Sequence, residues 1–154
     1  MTPSPPIERV TEATLTESGL ALLKNDECLR LLRTVNIGRV VVTTGGAAIV
    51  LPVNYVMVGS DVMFFTGEGV KLNAAFSRST VTFQADQIDV AERSGWSVMA
   101  VGTASAAPYG ARARVESLGL YPWAAGDRHH LVRIRPNFLS GRRILSGHET
   151  QGRG

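Results

Sequence analysis

The residues of this chain best suited to chemistry lie in one short run, Thr66-Gly67-Glu68-Gly69-Val70-Lys71. Two glycines let the backbone come close to a bound group and turn its N–H groups toward it. Thr66 offers a hydroxyl, and Lys71 brings an ammonium to what reads as a helix start, where the backbone also favours negative charge. That set suits a phosphate. It is not a Walker loop, because the G-x-x-x-x-G-K-[ST] spacing is absent. Other reactive types are sparse. His129 and His130 are adjacent and would point to opposite faces of a strand, so no metal site is expected from them. Cys28 falls on the apolar face of a helix and reads as a small buried hydrophobe. No Ser-His-Asp arrangement is visible, and no general acid or base is assigned.

The elements that must hold the run are short and β-rich. Asn25–Thr34 reads as a helix, capped by Asn25 or Asp26, with Cys28, Leu29 and Leu32 on one stripe. Arg39–Thr44 and Ala47–Tyr55 form a hairpin about Gly45-Gly46. Pro52 inside the second strand marks an edge, a bulge or a kink, since proline cannot donate to a ladder. Val62–Thr66 is a third strand, followed by the glycine run and a short helix over Val70–Phe76. Thr80–Ala85 is a fourth strand and Gly95–Ala107 a fifth, with Gly102 a bend or bulge. Ala111–Leu118 is a helix ended by Gly119, and Tyr121-Pro122-Trp123 is loop. His130–Arg135 is a sixth strand, stopped by Pro136. Six short strands in meander order predict a mainly β protein, a six-stranded antiparallel barrel with peripheral helices. So small a barrel has no room inside for a large ligand, so a ligand would lie on the outer wall or between subunits.

The chain has 154 residues, 44% of them hydrophobic, which suits one domain with an aliphatic core. Residues 1–24 read as a partly disordered arm, with Leu15–Leu23 a turn of helix or an extended strap; residues 25–145 read as the domain and 146–154 as a flexible tail. A single cysteine and the lack of a leader-like apolar segment point to a reducing cytoplasm. No apolar run approaches the ~20 residues of a membrane span. Six arginines and one acid follow from Arg128 onward. That surplus suits a phosphate-bearing ligand or an acidic surface. With few interleaved aromatics it reads against nucleic acid.

Several blocks, in order, carry a resemblance: Cys28-Leu29-Arg30-Leu31-Leu32, Ile37-Gly38-Arg39-Val40, Leu51-Pro52-Val53-Asn54-Tyr55, Phe65-Thr66 with Gly69-Val70-Lys71-Leu72, Gly95-Trp96-Ser97-Val98, and Val132-Arg133-Ile134-Arg135-Pro136 with Gly141-Arg142-Arg143. Together they resemble the pyridoxamine 5′-phosphate oxidase-like family of flavin-binding split barrels. The resemblance implies a homodimer with two flavin mononucleotide (FMN) sites at the subunit interface. It implies that Thr66, Gly69 and Lys71 hold the phosphate and that Pro52, Val53, Asn54 and Tyr55 run beside the isoalloxazine ring. Trp96 and Ser97 would come from the partner subunit, and Arg142 would close the site. Without the resemblance, Trp96 reads first as core or dimer interface and only second as a flavin contact, and Tyr55 suits the core at least as well as a site. The implied activity is FMN-dependent oxidoreduction of a small molecule whose identity the sequence does not carry. A deazaflavin reductase on the same scaffold, and a non-catalytic flavin or haem carrier or sensor, stay open beside it. Relatives often carry arginine where this chain has Phe65, so a weakened hold on flavin is expected.

Overall fold

The computed structural model describes residues 20–67, 78–123 and 130–145. Among them, seven strands and two helices follow in the order β1 (Leu20–Leu23), α1 (Asn25–Leu32), β2 (Ile37–Thr44), β3 (Ala47–Val58), β4 (Asp61–Thr66), β5 (Thr80–Asp89), β6 (Ser94–Ala106), α2 (Ala111–Ser117) and β7 (His130–Ile144). Every strand pairing is antiparallel. The sheet runs β1-β7-β4-β3-β2-β5-β6, and β6 pairs back onto β7 to close a barrel. The mainly β barrel read from the sequence is therefore correct.

Local chemistry sets the register. Gly45 and Gly46 have φ of 59° and 79°, the left-handed pair that a two-residue hairpin between β2 and β3 requires. On β2, Gly38, Val40 and Val42 face inward while Arg39 and Thr43 face out. Phe64, Phe83, Val98, Ala100 and Ile134 join Val40 in the buried interior. β4 instead reads as an unbroken apolar run, Val62-Met63-Phe64, buried on both faces. Its outer face is covered by α2: Met63 packs with Val115 and Leu120 in a second apolar cluster, flanked by Val56, Phe65 and Leu131.

Several expectations change. The strand count is seven, not six, because the apolar Leu20–Leu23 segment is an extended strap paired with β7. The last strand does not stop at Pro136. Its register shifts opposite Val101/Gly102, so the missing N–H falls at a bulge and β7 continues to Ile144. The bulge expected at Gly102 is where the close approach occurs: a Cβ there would collide with the Arg135 carbonyl. The order is also not a pure meander, since β5 returns to pair with the free edge of β2. At α1, the N-cap position is Lys24, with no side-chain cap bond, because Asn25 is already helical. Cys28, Leu31 and Leu32 are its buried residues, while Leu29 is only half-buried. The helix expected over Val70–Phe76 lies outside the described residues.

Candidate functional site

β3 exchanges one strand neighbour for another along its length. It pairs with β2 from Ala47 to Asn54, but with β4 only from Tyr55 to Val58. The two strands part at Tyr55↔Phe64. Tyr55 donates its N–H to the Asn36 carbonyl at 2.9 Å, toward β2. By alternation, the backbones of Asn54 and Pro52 face the edge that β4 has left. Proline is tolerated there because no ladder asks for its N–H.

A cavity of about 190 Å³ opens at this split, on the outer wall. One side is Pro52, Val53 and Asn54 from β3; another is Phe65 and Gly67 at the end of β4; the roof is the segment Leu120–Trp123 that follows α2. Gly119, with φ of 87°, ends α2, and the Leu120 N–H bonds to the Val115 carbonyl at 3.0 Å. That turn drops Leu120 into the second apolar cluster and leaves Tyr121 and Trp123 standing 57% and 77% exposed over the cavity. The walls are largely apolar and aromatic, with the Asn54 amide, the Tyr121 hydroxyl and the Trp123 indole N–H as the polar side-chain groups. Such a cavity can seat a flat ring with one polar edge.

The structure thus gathers Pro52, Val53 and Asn54 with Gly67 of the glycine run. Thr66 ends β4 beside them, its hydroxyl donating to the His130 carbonyl at 3.4 Å. Gly69 and Lys71 lie outside the described residues. Tyr55 goes the other way: its side chain is core. It is 1% exposed, its ring meets Phe83 edge-on at 4.6 Å, and its hydroxyl donates to the Leu32 carbonyl at 2.7 Å. Burial raises its pKa well above the usual phenol range. Only one of two successive residues can face outward on a strand, and here that residue is Asn54.

Trp96, Ser97 and Arg142 do not join this cavity. Trp96 is buried in the core, and its edge reaches a separate surface cavity with Gln87–Val90 and Gly95. Ser97 and Arg142 stand opposite each other on β6 and β7. The Ser97 hydroxyl accepts from Gln84 at 3.2 Å, and Gln84 also donates to Asp86 at 2.7 Å, beside Arg39. Between β3 and β6 lie β2 and β5, three strand spacings or ~14 Å along a convex wall. Two of the C-terminal arginines are held apart by their ion pairs. Arg135 pairs with Asp61 at 3.5 Å and Arg143 with Glu27 at 3.1 Å, at separate places on β7.

Sequence reasoning missed the roof. Tyr121-Pro122-Trp123 reads only as loop, yet two aromatics directly after a glycine-stopped helix, in a chain with 6% aromatics, were the available signal. It also missed Arg112, whose guanidinium carbon lies 5.1 Å from the centre of the Phe65 ring.

A closed antiparallel barrel, parted between two strands with a cavity at the parting, defines a split-barrel protein. The sequence model of the pyridoxamine 5′-phosphate oxidase family matches residues 24–143, and the chain belongs to that family. It is 34% identical over 134 residues to an uncharacterized protein of Mycobacterium tuberculosis, covering 83% of this chain and 88% of that one. Among solved structures, an FAD binding protein from Mycobacterium smegmatis is similar at 38% identity with a TM-score of 0.71, covering 82% of this chain and 99% of that one. A FAD-binding protein from Mesorhizobium loti shares the fold, at 21% identity and a TM-score of 0.68, over 82% of this chain and 99% of that one.

Proposed function

We propose that this chain binds a flavin nucleotide at the split between β3 and β4 and serves as a homodimeric flavin-dependent oxidoreductase. The observation that carries the reading is the cavity itself: a free strand edge at Pro52 and Asn54, an apolar wall and an aromatic roof. A flavin ring presents the complementary features, two flat faces and one edge of alternating donors and acceptors. The Asn54 amide and the backbone at Pro52 would hold that edge, while Phe65 and the roof would exclude water from the faces. Thr66 and Gly67 lead into the run where Gly69 and Lys71 would take the phosphate.

When bound, the flavin would supply the two-electron chemistry. This chain's residues would bind, orient and desolvate it. Among the described residues lining the cavity none is an Asp, Glu, His or Lys, so no proton carrier is assigned. Hydride transfer needs positioning more than acid–base help. The same feature also suits a carrier that holds flavin without turnover, and that is the second reading. The sequence implies FMN; the relative at 38% identity is an FAD binding protein, which favours FAD; a deazaflavin would use the same phosphate anchor.

The dimer rests on the separation of the two predicted halves. Ser97 and Arg142 do not line the cavity of their own chain and would serve that of a second copy. The outer wall between the halves exposes Ile37, Val50 and Met99, at 37%, 58% and 37%. An isologous contact there would bury them and build two equal sites.

The test is the absorption spectrum of the purified protein, followed by titration with FMN, FAD and a deazaflavin and assay with nicotinamide donors. Flavin bands that persist through gel filtration are expected, and chromatography of the released cofactor names it. Binding without turnover supports the carrier, and binding of none of the three overturns the proposal. Light scattering should give twice the chain mass, and Val50→Lys should halve it.

A further inference from the structure

We infer that Arg112 supplies a cation to the phosphate end of the cavity, acting from α2 across the face of Phe65. This rests on the flavin reading above. A nucleotide phosphate carries up to two negative charges, yet none of the described residues lining the cavity is charged. A cation stands on the helix beside it, at the Phe65 end. Arg112 lies in the first turn of α2, and its guanidinium carbon is 5.1 Å from the centre of the Phe65 ring, itself a wall of the cavity next to Thr66. The ring quadrupole favours a cation in that place.

Arg112 is held there from two sides. α2 is fixed by Val115 and Leu120, both buried against Met63 of β4. The Arg112 Nε–H donates to Glu116 at 3.2 Å. The two terminal Nη groups make no hydrogen bond with any described residue, and they are the pair that grips a phosphate in a bidentate fork. Phe65 therefore serves as a platform that carries a cation rather than as a gap where one is missing. The anchor is also tied to the roof: Arg112 opens α2 and the Leu120–Trp123 segment follows its end, so ring and phosphate would be gripped by one contiguous stretch of chain.

The experiment compares wild type, Arg112→Ala, Arg112→Lys and Arg114→Ala by fluorescence titration with FMN, FAD and riboflavin, which lacks the phosphate. Thermal melts confirm folding. Arg112→Ala should weaken FMN and FAD binding about ten- to a hundredfold, the worth of a charge-assisted hydrogen bond, and leave riboflavin within about twofold. Arg112→Lys should recover part of the loss, and Arg114→Ala, an exposed neighbour, should change little. Equal loss for riboflavin, equal loss in Arg114→Ala, or no loss at all overturns the assignment while leaving flavin binding intact. A wild type that binds none of the three overturns the flavin reading and this assignment with it.

Discussion

The barrel has two seams of opposite character. β6 and β7 pair over twelve positions from Gly95 to Ala106, whereas β3 and β4 pair over four. The long seam is sealed around a bulge and carries β1 and α1 against it. The short seam opens as soon as its hairpin has formed, and the cavity lies in the opening. In a small barrel without an internal chamber, a ligand site needs a place where the sheet is not finished. The long seam permits this, because closure there holds the barrel together while β3, among the described residues, has no strand partner on its β4 side from Ala47 to Asn54.

The strongest way to break this division of labour is to damage the closed seam. At Gly102 a side chain has nowhere to go, since its Cβ would meet the Arg135 carbonyl and the Pro136 backbone. Gly102→Val is expected to cost about 4 kcal/mol or more, in the range of severe core disruptions. The melting temperature should fall by ~10 °C or more, if the protein is recovered at all. Ligand binding would vanish with the fold. A variant that melts like wild type would show that the bulge is not what holds the barrel shut.

A second test sharpens the contrast within two adjacent residues. Tyr55 and Asn54 sit where the short seam ends, one facing the core and one the cavity. Tyr55→Phe removes the hydroxyl that satisfies the Leu32 carbonyl at the end of α1. That should cost about 1–3 kcal/mol of stability and change flavin affinity little. Asn54→Ala should do the reverse: an unchanged melt and a flavin dissociation constant raised about tenfold, as for one lost neutral hydrogen bond. Chemical denaturation and fluorescence titration, run on both variants, separate the two roles. Loss of affinity in Tyr55→Phe alone would reverse them.

How much of this was legible beforehand follows the same divide. The hairpin at Gly45-Gly46, the bulge at Gly102 and the burial of Cys28 were readable, because each is fixed by local chemistry. The continuation of β7 past Pro136 was not, because it depends on pairing with β6 across a bulge that leaves Asn137 of β7 without a register partner. Leu20–Leu23 was ambiguous for a similar reason: four apolar residues become a strand only when an edge is offered, and β7 offers it. At the site, Val53 and Asn54 were named only through the family resemblance, and Pro52 by itself marked an edge, a bulge or a kink without choosing among them. The facing of Tyr55 was left open by its type, since a tyrosine suits core and site equally. The roof and Arg112 were hidden because they come from more than forty positions downstream of Phe65 and meet it only through the packing of α2. Phe65 looked like a lost cation in one dimension, and in three it has an arginine over its face.

The smallest expected effect is a pH dependence seated at the closed end, where α1 meets β7. Burial, with help from the Glu27 charge, pushes the Cys28 thiol up from 9.0 to about 11. Its Sγ lies where any side chain on Gly141 would have to go, so a thiolate has no room to draw water around itself. A folded-state pKa above the unfolded value means the unfolded chain loses its proton first, so unfolding gains as pH rises. Stability is then full below pH 9 and declines from there toward pH 11. Between pH 8 and pH 10 the loss should be about 1 kcal/mol. Cys28→Ala should flatten that slope although it lowers stability at neutral pH by opening a small cavity. Denaturant melts at pH 8, 9 and 10 would decide it. A slope that survives in Cys28→Ala would belong to Tyr55, whose pKa burial also raises, and would begin nearer pH 10. In either case flavin affinity at the open seam should not follow the same curve, because neither group faces the cavity. Parallel curves for stability and binding would mean that the two ends of the barrel are coupled rather than divided.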